Sequence, residues 1–209
     1  MSIETAITFF VASVAIGVAP GPDNLFVLAQ SALHGRRAGL SVTLGLSTGL
    51  IGHTLAVALG LAALIHASET AFFGLKLVGA GYLLWLAWKA FSAGGGALSE
   101  TGDAERIGYA RLYVRGIAMN LTNPKETLFF LAYLPQFVAP ERGAIEWQIA
   151  ALGGLFILMT LLIFGGIAIL AGSVGRRLRE SERVRALMNG LAGFVFIGLA
   201  LKLLFSEAK

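Results

Sequence analysis

Six stretches of the chain are nearly unbroken runs of apolar residues, in rough bounds 6–33, 40–65, 71–91, 112–138, 149–173 and 186–205. Each supplies the roughly 20 residues that a helix needs to cross the hydrocarbon core of a bilayer. Period-two alternation is absent and the runs are too long for strands, so the pattern predicts helices throughout. The first run follows Met-Ser-Ile-Glu, without a basic leader, and continues past Pro22 to Leu33. That fits a retained first span better than a signal peptide. The fold class this predicts is an all-α membrane protein of six transmembrane helices.

The polar residues between the runs orient them. Loop one carries Arg36 and Arg37; loop three and its flanks carry Lys89, Arg106, Arg111 and Arg115. Loop five carries Arg176, Arg177, Arg179, Arg183 and Arg185, whereas loops two and four together carry only Arg142. By the excess of Lys and Arg in cytoplasmic loops, the odd loops face the cytoplasm of a bacterial inner membrane and both termini lie outside. The longest loop, residues 92–111, contains SAGGGALSETGDAERIGYA and reads as a flexible cytoplasmic linker. It separates three spans in 1–91 from three in 112–209. Two repeats with an odd number of spans would lie inverted in the membrane, as in many secondary transporters.

Composition strengthens the membrane reading. The chain is 56% hydrophobic and 13% charged, with a mean hydropathy of +0.78; soluble domains carry about 25% charged residues. Its 27 glycines sit largely inside the apolar runs, where small residues let helix backbones approach closely. The net charge of +4 would suggest nucleic acid in a soluble protein; here basic cytoplasmic loops account for it, and no nucleic-acid partner is expected. The absence of cysteine excludes disulfides and thiolate metal sites. No GxxxxGK[ST] occurs, so ATP bound by a P-loop is not the energy source. No cofactor is implied.

Two runs are interrupted, each at the first span of a half. The interruptions read Pro20-Gly21-Pro22-Asp23-Asn24 and Asn120-Leu121-Thr122-Asn123-Pro124-Lys125-Glu126. Proline removes a backbone donor and clashes with the preceding turn, so each helix should break or kink there. A new helix can start beyond each, with Asp23, Asn24 or Asn123 as N-cap. Pro22 and Pro124 lie 14 and 13 residues from Arg36 and Arg111. At ~1.5 Å per residue both breaks fall about 20 Å from the headgroups, at similar depth, where they can meet. A lone proline would read as a packing kink; two matched breaks bearing ionisable and amide residues point to function.

The motifs PGPDN, HGRRAGL, LKLVGAGYLLWLAWKA, NPKETLFFLAYLPQFV and NGLAGFVFIGLALKL follow one another along nearly the whole chain. In that order they resemble the LysE/RhtB family of amino-acid exporters. The resemblance implies efflux of basic amino acids, homoserine, threonine or other neutral amino acids, with proton-linked or similar exchange. Glu126 departs from the family pattern, in which the residue after NPK is commonly small or uncharged; it could alter substrate charge preference or pair with Lys125.

Asp23 is the foremost candidate, because a carboxylate deep in a span is costly unless it works. It could accept a substrate ammonium or carry the coupling proton; the plainer alternative is that it only caps a half-helix. Lys125 and the half-helix start behind Pro124 could meet a substrate carboxylate, or Lys125 could pair with Glu126 or Asp23. Asn24, Asn120 and Asn123 could bind substrate or freed backbone groups. Glu126 is a second candidate for the proton carrier, a weaker one because it lies beside Lys125. His53 shares a four-residue spacing with Gly45 and Gly49, a face that packs on a neighbouring helix; a histidine bonded to backbone is one role for it and a proton relay another. No HExxH or dense metal-ligand cluster occurs, and the one GxSxG string, Gly45-Leu46-Ser47-Thr48-Gly49, lies inside an apolar run predicted as a helix rather than at a strand-to-helix turn, which argues against an enzyme and against a metal site. An exporter of another small solute or metal ion, or an uncoupled channel, remains the alternative. The partners implied are an amino acid, protons or another coupling ion, and the lipid bilayer, with glycine-rich faces that could support a homodimer.

Overall fold

The computed structural model describes residues 1–19, 21–67, 69–92, 108–171 and 182–205. Among these there are no strands. The helices are α1 (Ile3–Val18), α2 (Pro22–His34), α3 (Arg36–Ala67), α4 (Glu69–Ser92), α5 (Tyr109–Thr122), α6 (Pro124–Leu128), α7 (Ile145–Leu170) and α8 (Glu182–Phe205). Helix α6 runs on into a π-helical turn, Phe129–Tyr133, and a 3-10 turn, Leu134–Phe137, that carries Pro135. Most of the expected linker, 93–107, lies outside the described residues, as do Pro20 and the arginines at 176, 177 and 179. The flanks of that linker are helical, since Ser92 ends α4 and Tyr109 begins α5.

Local chemistry explains where helices begin and end. Ser2 caps α1 by accepting from Thr5 N at 3.1 Å, with Glu4 in the first turn, where the helix dipole favours an anion. Helices α2 and α6 both start with proline at a position whose N–H would be unused in any case. Gly35, at φ 85°, makes the left-handed turn between α2 and α3 that side chains avoid.

Among the described residues, two helices are long and apolar enough to cross a membrane, Arg36–Gly60 within α3 and Ile145–Leu170; the pair α1 and α2, bent by 62°, makes a third if it is one broken span. The 25 residues of the first reach about 37 Å at ~1.5 Å per residue, more than the hydrocarbon thickness. Polarity is turned inside out. Ile3, Leu59, Trp147 and Phe205 are 79–81% exposed, while Asp23, Asn120, Lys125 and Glu126 are 1–4% exposed. Water would not tolerate that surface, but lipid asks for it.

Helix α3 packs along α5 and α7, α1 and α2 lie against α7, and α4 pairs with α8. The α3–α5 contact is between backbones. A Cβ on Gly116 would stand 2.5 Å from Val42 O and 3.1 Å from Gly45 Cα, and one on Gly45 would overlap Tyr113 O. The core between the α1, α6 and α7 regions is aromatic: Phe129 stacks within 5.0–6.3 Å of Phe9, Phe130, Tyr133 and Phe156.

Candidate functional site

The two breaks meet. Asn123, in the second, donates from Nδ2 to Asp23 Oδ2, in the first, at 2.6 Å across 100 residues of sequence. Both side chains are buried, 4% and 1% exposed. A short amide-to-carboxylate bond out of water is among the stronger single polar contacts in a protein.

Each break leaves carbonyls at the end of one helix without their usual donors, and the site's own side chains supply them. At the end of α1, Asn24 Nδ2 donates to Gly17 O at 2.7 Å and Lys125 Nζ donates to Ile16 O at 3.3 Å, while Ala19 N reaches Ala15 O at 3.2 Å. At the end of α5, Asn120 O accepts from Asn123 N at 3.0 Å and from His53 Nε2 at 3.2 Å. Asn123 caps α6, its Oδ1 accepting from Lys125 N at 3.0 Å. The cap of α2 is Gly21, not Asp23 or Asn24, which lie within the first helical turn. Hence the Asp23 carboxylate is not consumed by its own helix and can reach across to Asn123.

Three ionisable side chains share this interior. Lys125 Nζ stands 3.8 Å from Glu126 Oε1, and Asp23 interacts electrostatically with both Lys125 and Glu126. The two donors expected to meet a substrate carboxylate, Lys125 Nζ and the first free amide of α6, both have protein partners: Ile16 O and Glu126 for the one, Asn123 for the other. Gly21 leaves room between the breaks, since a Cβ there would lie 3.2 Å from Lys125 Nζ and 3.7 Å from Asn24 Oδ1. Pro22 and Pro124 each open the helix that carries these groups.

Among the described residues, several buried oxygens have no hydrogen-bond partner: Asp23 Oδ1, Asn24 Oδ1, Asn120 Oδ1 and Glu126 Oε2 at the breaks, and Thr160 Oγ1 on α7. His53 lies over Phe130 at 5.5 Å between ring centroids, and Asn120 rests on Gly49 of the same α3 face. That face is the one the Gly45, Gly49, His53 spacing marks. Among the described residues no three His, Cys, Asp or Glu side chains gather as a metal site would require. Two groups gave no sequence signal. Gln148 clamps the loop before α7 through Ala139 N, Ala139 O and Gly143 O at 2.9–3.1 Å, and Thr160 reads as one more residue of an apolar helix.

A family model described as LysE type translocator matches residues 14–207. The homoserine/homoserine lactone efflux protein of Salmonella typhimurium is 31% identical over 202 residues, 96% of this chain and 97% of that protein. The leucine efflux protein of an Enterobacter species is 32% identical over 205 residues, 94% and 93% of the two chains. A membrane protein of Vibrio cholerae, described as uncharacterized, is 31% identical over 212 residues, the full length of both. No solved structure matches the chain.

Proposed function

The chain belongs to the LysE type translocator family, a family of transporters and not of enzymes, and from that premise we propose that it is a secondary-active exporter of amino acids or their close derivatives across the bacterial inner membrane. The efflux of homoserine, its lactone or leucine, named for the relatives, is carried here as a substrate class. The observation that supports it most is the buried Asp23–Asn123 bond that joins the two helix breaks. A bilayer interior charges several kcal/mol for unsatisfied polar groups, so a cluster of two carboxylates, an ammonium and three amides there points to a ligand or ion path.

The architecture we propose for that activity has six spans, α1 with α2 and α5 with α6 each forming one broken span. Residues 1–91 and 112–209 are the inverted repeats, joined by a cytoplasmic linker over 92–111, and both termini face outward. The substrate ammonium sits at Asp23, with Asn24, Asn120 and Asn123 as hydrogen-bond partners. Lys125 lies in the same site and balances one carboxylate. Rocking of the halves about the breaks exposes the site alternately to each side, and a proton returns on Asp23 or Glu126. His53 belongs to this network through Asn120 O.

Efflux from preloaded proteoliposomes tests this reading. Labelled amino acid should leave faster when the external medium is made acidic, and the acceleration should vanish with a protonophore. Efflux no faster than from protein-free liposomes would refute the exporter; efflux indifferent to the gradient would refute the coupling.

A further inference from the structure

Between Ile149 and Leu170, helix α7 carries one polar side chain, Thr160. Resting on the exporter reading above, we propose that the Thr160 hydroxyl binds the exported molecule, donating to an oxygen of its acid end.

The packing sets Thr160 at the level of the breaks. The apolar interior forms two clusters, and the chain passes between them through polar residues. It leaves the first cluster at Ala19 and enters the second at Phe26, with Asp23 and Asn24 between. It leaves the second at Met119 and re-enters the first at Phe129, with Asn120, Asn123, Lys125 and Glu126 between. Helix α7 makes the same passage between Met159 and Phe164, beside Thr160, and α3 makes it between Leu46 and Leu50, around Ser47. Direct contacts agree. A Cβ on Gly17, whose carbonyl accepts from Asn24, would overlap Met159 Sδ, next to Thr160. Gly39 faces Ala168 and Gly153 faces Thr54, an antiparallel register of α3 on α7 that sets Thr160 level with Ser47. Gly49, two residues further along α3, lies against Asn120.

The hydroxyl is not spent on its own helix. Among the described residues, the other buried serine and threonine side chains are Ser13, Ser31, Thr43 and Ser47. Each donates to the carbonyl four residues back, at 2.7–2.9 Å. Thr160 is 1% exposed and makes no such bond, nor any other among the described residues. A buried hydroxyl left open lowers stability, so its persistence in this seam points to a partner that arrives with the ligand. Its polarity says which end. The open amide oxygens of Asn24 and Asn120 accept and cannot donate, whereas a hydroxyl carries a proton whatever the state of the carboxylates. Lys125 Nζ is held by Ile16 O and Glu126, and the first free amide of α6 by Asn123. Thr160 is the donor left for an acid oxygen, on a different helix from the groups that would take an ammonium.

The test is thermal stabilisation of the purified full chain in detergent by a panel of the common amino acids. The best stabiliser is then titrated into wild type, Thr160→Val and Thr160→Ser. Ligand-free Thr160→Val should melt at or above the wild-type temperature, because it loses no bond. It should bind the amino acid about tenfold more weakly, and Thr160→Ser, which keeps the hydroxyl, within about threefold of wild type. The matching amine, which lacks the carboxyl group, should either be silent or bind wild type and Thr160→Val alike. Equal affinity for the amino acid in wild type and Thr160→Val, or equal weakening by valine and serine, overturns this inference and leaves the exporter intact. An amine weakened as much as the amino acid overturns it too. So does a Thr160→Val protein that melts below wild type or fails to fold, which would give the hydroxyl a structural partner. Silence of wild type toward the whole panel sinks both readings.

Discussion

Asn123 does two jobs with one amide. Its oxygen caps α6 through Lys125 N, and its nitrogen holds Asp23 across the interface of the two breaks. A truncation at this position therefore loses a cap and leaves a buried carboxylate short of a donor. Asn123→Ala should lower stability by about 1.5–3 kcal/mol, the range for bonds to charged groups, and should abolish measurable export. Thermal unfolding in detergent checks the first part; a melting temperature equal to wild type would mean that the Asp23 contact contributes nothing. Aspartate at 23 and lysine at 125 were conspicuous in the sequence because charge in an apolar run is rare. The pairing of Lys125 with Glu126 was among the alternatives the sequence offered; its bond to Ile16 O was not, since that carbonyl belongs to another helix and carries no sequence mark.

Among elements, the α3–α5 crossing combines close backbone approach with the Thr48–Tyr113 and His53–Asn120 O bonds. Val42 O and Gly45 Cα both lie where a Gly116 Cβ would be, and backbone atoms cannot swing aside as a flexible side chain does. Gly116→Ala should cost about 1–3 kcal/mol by overpacking, whereas Gly81→Ala, with nothing within 4 Å of its Cβ position, should leave the melting temperature unchanged. Equal melting temperatures for the two variants would show that the helices cross elsewhere. The four-residue spacing of Gly45, Gly49 and His53 made this face legible from sequence, as the prolines did the two breaks. The π-helical turn over Phe129–Tyr133 was not legible. FFLAY is apolar all round, so no periodicity separates a five-residue turn from an α-helical one, and only Pro135 marks where the regular bonding must stop. Gln148 was illegible for a related reason, because its role depends on the loop that folds back onto it.

At the scale of the molecule, an apolar exterior encloses a polar seam where two broken helices touch. In the topology proposed above, this arrangement would keep ionisable groups away from lipid, and loop charge would set the orientation. Because the chain has no cysteine, single substitutions report sidedness without a modified background. Ser2→Cys and Glu141→Cys should react with an impermeant maleimide in intact spheroplasts, and Arg37→Cys only after permeabilisation. The opposite labelling would invert the proposed topology. The claim that matters most is that Asp23, bonded to Asn123, sits in the path of an exported amino acid. Its most direct test is efflux of labelled amino acid from proteoliposomes holding equal amounts of folded wild-type and Asp23→Asn protein. Wild type should release the load several-fold faster than protein-free liposomes while Asp23→Asn does not exceed them; an Asp23→Asn protein that exports at the wild-type rate would contradict the claim.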